Sequence, residues 1–393
     1  MKTSSAPLVD RIRQRLAEEA QEPTAHSVAA ALRAENQLCG NGTVLALVDQ
    51  LRRDTVGAGP LESLLATPGV TDVLVNGPDE VYLDCGRGLE RSPLTFPGDE
   101  SVRRLAQRLA AQGGRRLDDA SPFVDVRLID GTRFHAVLAP IARPGTLLSL
   151  RVPARHTYSL DQLLASGTLT SLGVDCLVQL VASRAAFLIT GGTGSGKTTL
   201  LAALLSIVDD SERLVIVEDA TELRPHHQHT VGLESRPPNI EGAGAIGLRD
   251  LVRQALRMRP DRLIVGEVRG AEVVDLLAAL NTGHEGGCGT LHANSAADVP
   301  ARIEALGVAA GLPRDAVHSQ LASALDVIVH LSRTHLDGAS GGGRILRQLA
   351  VFERNPQGLV EAVPALTFTT EGVQTGAGFD RLQSVIGPLA VPR

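Results

Sequence analysis

The chain has 393 residues, 43% of them hydrophobic and 21% charged, with a formal net charge of −6. That length suits two domains plus a leader, and the composition is that of a water-facing globular protein. The acidic balance gives no general attraction to nucleic acid or anionic lipid, and 2% aromatics without tryptophan offer little to stack on bases, so no direct nucleic-acid binding is expected.

No apolar run is long enough to span a bilayer, and the N-terminus lacks the apolar centre of a signal peptide. Cys39, Cys85, Cys176 and Cys288 are far apart and form no C-x-x-C pair. They read as free thiols in a reducing compartment. A cytoplasmic protein is expected, reaching a membrane only through partners.

Residues 1–56 read as a helical leader. Leu8, Val9, Ile12 and Leu16, then Val44, Leu45, Leu47, Val48 and Leu51, recur at helical spacing. Such a stripe suits packing on its own protein or docking a partner. Residues 57–152 change to short strands with turn signals, a small α+β domain. In it, FVDVRLI and RFHAVLA flank Asp130-Gly131, which predicts a two-residue hairpin turn. Arg127, Arg133 and Arg151 fall on or beside these strands, where pattern alone gives solubilising charges. Residues 153–184 read as a linker and lead-in helix, and 185–393 as a P-loop domain ending in a strand pair and a Gly/Thr-rich tail.

The centre of that domain is AAFLIT-GGTGSGKT-TLL: a buried strand, a glycine-rich turn and a helix start. It fits G-x-x-x-x-G-K-[ST] with Gly191, Gly196, Lys197 and Thr198 at the fixed positions. Gly192, Thr193, Gly194, Ser195 and Thr199 complete the cradle, whose backbone N–H groups and helix N-terminus attract phosphate oxygens. Lys197 is expected on the β- and γ-phosphates of ATP and the Thr198 hydroxyl on Mg²⁺. Lysine stands only at positions 2 and 197, so the remaining basic residues of the 38 are arginine. A compact ammonium is kept where a broad guanidinium would not fit.

Further along, SERLVIVEDA predicts a strand ending in Glu218 and Asp219, with Asp219 a candidate metal ligand. RLIVG ends in Glu267, with Gly266 where a metal-binding aspartate often stands. Glu267 is therefore expected to orient the attacking water, help hold the metal, or both. His284 and His292 lie in NTGHEGGCGTLHANS, where bonding to the γ-phosphate region is favoured over metal ligation. His226, His227 and His229 follow a proline in a polar loop without a nearby cysteine, a weak zinc signal.

VEDATEL, LESRPPNIEG, LRDLVRQALRMRPDRLIVGEVRG, LNTGHEGGCGTLHANS and ASALDVIVH resemble the secretion ATPases of type II and type IV systems, and most of all the CpaF/TadA-like branch that powers Tad-type (Flp) pilus assembly. The likeness spans about 57–366 and includes VDVRLIDGTRFHAVLAP. It implies a homo-hexameric ring of subunits, each pairing a PAS-like domain with a RecA-like ATPase domain. ATP and Mg²⁺ would sit between them. It further implies an inner-membrane platform as partner at the cytoplasmic face. By the same resemblance, Glu218 and Asp219 match an Asp box, Glu267 a catalytic Walker B glutamate, and His284 with His292 a His box. Arg127 and Arg133, with Arg151 less closely, match arginines that close on the triphosphate. A conjugal-transfer motor and a nucleotide-gated scaffold with little turnover are the alternatives.

Overall fold

The structure is a computed structural model that describes residues 11–12, 15, 24–35, 44, 47–48, 57–86, 88–153, 157–238, 242–333 and 343–389. The chain divides into two compact units, Met1–Pro153 and Ala154–Arg393.

In the first unit, helix α1 (Ala25–Ala34) is capped by Thr24, which accepts from the Ser27 N–H. Val28, Ala31 and Leu32 bury against Ile12, Leu47 and Val48. Leu8, Val9, Leu16, Leu45 and Leu51 of the expected stripe lie outside the described residues. After the single turn α2 (Glu62–Leu65), six strands form one antiparallel sheet in the order β3-β2-β1-β6-β5-β4. They are β1 (Asp72–Asn76), β2 (Val81–Asp84), β3 (Leu89–Ser92), β4 (Phe123–Arg127), β5 (Arg133–Val137) and β6 (Leu147–Arg151). Their alternation puts Val73, Val75, Val124, Phe134, Ala136, Leu148 and Leu150 on one buried face. Helix α3 (Asp99–Gln112) lays Val102, Leu105, Ala106, Leu109 and Ala110 against that core.

The β4–β5 turn is one residue longer than expected. Leu128 N–H donates to Thr132 O, Gly131 N–H donates to Leu128 O, and Gly131 sits at φ 90°. The turn therefore centres on Ile129 and Asp130, with Gly131 as the left-handed residue that closes a three-residue hairpin. Dipeptide chemistry marked the turn correctly but not its length.

The second unit opens with β7 (Phe187–Gly191) after two helices, α4 (Leu160–Ala165) and α5 (Ser171–Ala182). Ser159 and Thr170 cap these helices, and Leu160, Leu163, Cys176, Leu177 and Leu180 are in the core. The stretch read as a linker and lead-in helix thus holds two helices, because its apolar residues recur at helical spacing. Nine strands follow the order β15-β14-β13-β12-β7-β11-β10-β8-β9. The new ones are β8 (Leu214–Glu218), β9 (Thr230–Glu234), β10 (Arg262–Val268), β11 (Cys288–His292), β12 (Val327–Arg333), β13 (Arg344–Arg354), β14 (Val360–Thr369) and β15 (Gly372–Thr375). Strands β12, β7, β11, β10, β8 and β9 run parallel, so their C-terminal ends share one edge. β7 and β8 are buried at every position, as strands covered on both faces must be.

This is the expected RecA-like α/β layout. The covering helices include α6 (Lys197–Leu205), α7 (Leu248–Ala255), α8 (Glu272–Leu280), α9 (Val299–Ala309) and α10 (Arg314–Ala324). The tail is more ordered than its composition suggests: β15 pairs with β14, and α11 (Phe379–Ile386) buries Leu382 and Ile386. Among the described residues, no helix is long and apolar enough to cross a membrane.

Candidate nucleotide-binding site

The glycine-rich segment leaves the C-terminal end of β7 and enters α6 through Gly196, whose φ of 95° is left-handed. Only glycine takes that conformation without strain, so the motif's second glycine is fixed by the backbone. Gly192, Thr193 and Gly194 are exposed, and Thr198 and Thr199 are half-buried in the first turn of α6. The Ser195 hydroxyl oxygen is buried and makes no hydrogen bond. Lys197 is 7% exposed, and its Nζ donates to the Gly191 and Gly192 carbonyls, each at 3.0 Å. Burial holds its pKa below the usual lysine value, Glu267 pulls it up and Arg269 pushes it down. A buried ammonium resting on neutral carbonyls and an unsatisfied hydroxyl, beside exposed backbone at a helix N-terminus, fit a phosphate chain.

Three neighbouring strands bring their ends to the same edge. His292 closes β11 opposite Gly191, and its Nδ1 lies 3.3 Å from the Lys197 Nζ. Glu267 Oε2 accepts from the Arg269 guanidinium. Its Oε1 stands 2.8 Å from His292 Nε2 but is not aligned for a hydrogen bond. Desolvation lowers the His292 pKa, with Lys197 adding to that effect, so the imidazole is neutral beside this carboxylate near neutral pH.

Glu218 ends β8 and is 5% exposed. Its Oε1 accepts from the Glu222 and Leu223 N–H groups at 3.1 and 3.0 Å. Burial pushes its pKa up to about 7, against the lowering effect of those two bonds. The same side chain explains Gly266. A Cβ at that position would stand 2.5 Å from the Glu218 Cγ. The carboxylate absent from β10 is replaced by one reaching across from β8, and the space admits no second side chain.

Asp219 follows β8 and is exposed. Thr198, Asp219 and Glu267 are oxygen donors of the kind Mg²⁺ takes when water and phosphate complete its shell. Among the described residues, no group of three or more His, Cys, Asp or Glu side chains is arranged to hold a metal by itself. His227 contacts the Asp209 carbonyl through Nε2, and His229 contacts Arg213 through its own Nε2. Two of the three histidines, His227 and His229, are therefore engaged in separate local contacts.

His284 is not brought to this edge. It follows α8, with Nδ1 3.2 Å from the Ala279 carbonyl, and precedes the first residue of β11, whereas His292 is the last. Gly287, three residues on, offers its carbonyl to the Phe187 N–H at the opposite end of β7. A five-residue strand, roughly 17 Å long, separates the two histidines. The two histidines expected on one phosphate therefore stand at opposite ends of β11 in this chain.

In the first unit, Arg127 opposes Arg133, Arg133 opposes Arg151, and Arg151 opposes Asp72. Three guanidiniums thus form a row across one end of the exposed sheet face. Arg133 reaches Asp125 at 3.4 Å and Arg151 reaches Asp72 at 3.1 Å. Directly opposed like charges repel in a sheet, and the Asp125 and Asp72 carboxylates offset part of that repulsion.

Sequence reading missed four residues near the loop. Arg269 is visible two positions after Glu267, on the same strand-exit pattern. His330 on β12 is 5% exposed and bonds the Thr190 hydroxyl at 2.9 Å directly before Gly191. Arg333 and Arg344 reach the loop from β12 and β13, and no local signal marks them.

Residues 54–362 match the family model described as type II/IV secretion system protein. A Mycobacterium tuberculosis protein named for conjugal transfer is 53% identical over 332 residues, covering 83% of this chain and 93% of its own length. The conjugal transfer protein TrbB of Rhizobium radiobacter is 31% identical over 291 residues, covering 72% and 84% respectively. The structure of the pilus retraction motor PilT with bound ADP superposes with a TM-score of 0.51 at 24% identity, over 72% of this chain and 78% of that one.

Proposed function

This chain belongs to the type II/IV secretion system protein family, and on that premise we propose that it is an ATP-hydrolysing motor acting at the cytoplasmic face of a membrane-embedded secretion or pilus apparatus. One observation carries the reading: the buried Lys197 ammonium, held on loop carbonyls, shares a strand-end edge with Glu267, Glu218 and His292.

The loop amides and Lys197 bind and orient the triphosphate, which accounts for much of the rate in phosphoryl transfer. Glu267 is the carboxylate that orients and deprotonates the attacking water. To do so it exchanges its contact with Arg269, so the ion pair holds the base in reserve. His292, neutral and next to both Lys197 and Glu267, suits a hydrogen bond to the γ-phosphate region. Thr198, Asp219 and Glu267 would hold Mg²⁺, which supplies charge neutralisation on the phosphates. The row of Arg127, Arg133 and Arg151 suits closure on the γ-phosphate from the first unit. In this reading the working form is a homo-hexamer on inner-membrane platform proteins.

The motif resemblance supports a Tad-type pilus as the machine driven. A second reading, a type IV conjugal-transfer motor, is favoured by the names of the Mycobacterium and Rhizobium relatives. Deleting the gene separates them through loss of surface pili or loss of DNA transfer to a recipient. The enzymatic core of the proposal is tested by phosphate release measured across a protein dilution series with light scattering. Specific activity rising as rings form is expected. No release at any concentration would leave only a nucleotide-binding scaffold, and full activity from a monomer would overturn the ring.

A further inference from the structure

Outside the motif, the loop is flanked by a pair of arginines. Arg333 ends β12 and Arg344 begins β13, and the two are directly opposed across the antiparallel ladder. Arg344 Nε donates to the Gly194 carbonyl at 3.0 Å. Its Cδ lies 3.3 Å from where a Cβ on Gly196 would stand. An Arg333 terminal nitrogen comes within 3.5 Å of the corresponding point on Gly194. Both side chains are exposed, and among the described residues neither forms an ion pair with a carboxylate.

This placement is costly by itself. Opposed like charges on neighbouring strands repel, and no carboxylate among the described residues pairs with either of them. The cost is recovered when an anion occupies the loop beside them. Guanidinium groups are also the side chains best matched to phosphate oxygens, through planar paired N–H donors. The bond to Gly194 has a second effect, since fixing that carbonyl fixes the peptide plane that links Gly194 to the buried Ser195.

We infer that Arg333 and Arg344 belong to the phosphate site: Arg344 is a positioning residue that holds the loop open through Gly194, and both add positive charge toward the bound phosphate chain. This rests on the P-loop being a nucleotide site and deepens it. The distance in sequence, with Arg344 150 residues beyond Gly194, is bridged only because β12 pairs with both β7 and β13.

The test is binding, not turnover. Affinities for ADP and for inorganic tripolyphosphate are measured by calorimetry for wild type, Arg333→Ala, Arg344→Ala, the double variant and Lys197→Ala, at low and high salt. Each single arginine variant is expected to lose about tenfold for both ligands, the scale of one charge-assisted hydrogen bond. The ratio to wild type should shrink at high salt, because exposed charges are screened. Arg333→Lys should recover most of the loss. Wild-type affinity in the double variant overturns the inference. So does a loss confined to ADP with tripolyphosphate unaffected, which moves the arginines onto the nucleoside. A salt-independent loss that lysine does not rescue also overturns it, because a purely structural role would behave that way. Lys197→Ala serves as the separate control. If it alone binds ADP normally, the nucleotide-site reading fails whatever the arginines do.

Discussion

Replacing Gly266 with alanine tests how the two central strands share one carboxylate. The added methyl stands 2.5 Å from the Glu218 Cγ and 3.1 Å from its Oε1. Ordinary contact needs about 3.5–4 Å, so one partner must move by roughly 1 Å. Glu218 is 5% exposed and tied by two backbone N–H groups, so the movement overpacks the core and stretches those bonds. Overpacking costs about 1–3 kcal/mol and a disturbed hydrogen bond about 1 kcal/mol, giving about 2–4 kcal/mol in total. For a unit of this size, scanning calorimetry should show the second unit's transition lowered by roughly 4–16 °C. Phosphate release should fall as well, because Glu218 leaves its place at the strand edge. Adding Glu218→Ala removes the clash, so at least half of the lost stability should return while activity stays low. An unshifted transition in Gly266→Ala would refute the packing account, and full activity in the double variant would refute a role for Glu218.

Three other predictions follow from the same geometry. Arg127→Ala and Arg133→Ala should each lower kcat by about 10–10³-fold with a smaller change in ATP affinity, the signature of a charge used mainly in the transition state; wild-type kcat in both returns the row to surface charge. Glu212 accepts two bonds from the buried Arg262 and one from Arg184, so Glu212→Gln strands a buried cation and should cost about 3 kcal/mol at neutral pH. Burial pushes the Glu212 pKa up, but the two arginines outweigh this and hold it below the usual carboxylate range. Its stabilisation is therefore present above that range and lost as pH falls through it. The gap between wild type and variant, read by calorimetry, should narrow in acid, and a gap constant with pH would contradict the ion-pair account. Arg269→Ala frees one oxygen of Glu267 and should change the rate of phosphate release without abolishing ADP binding, which a stopped-flow assay and calorimetry separate.

The loop at 191–199 was legible because its chemistry is local. A strand, three constrained glycines and a helix start lie within one contiguous stretch, and the geometry follows from that order alone. Glu267 and His292 were legible for a related reason, since each ends a short apolar run and parallel strands end at one edge. His284 shares a glycine-rich stretch with His292, but β11 lies between them, and an extended strand carries residues at its two ends far apart. Gly266 was recognised as a departure, but its cause sits on another strand and needs the β8–β10 pairing to be seen. Arg333 and Arg344 depend on strand order across 150 residues, which no local pattern encodes. The tail misled in the other direction: its glycines and threonines hid Leu382 and Ile386, which need only one helical face to dock.

Glu267→Gln keeps the shape of the side chain and removes the carboxylate, so single-turnover phosphate release from preloaded ATP isolates the step assigned to it. The variant should bind ATP as wild type does and release phosphate about 10²-fold more slowly or worse. Release within a factor of two of wild type would contradict the claim that this strand-end carboxylate activates the water.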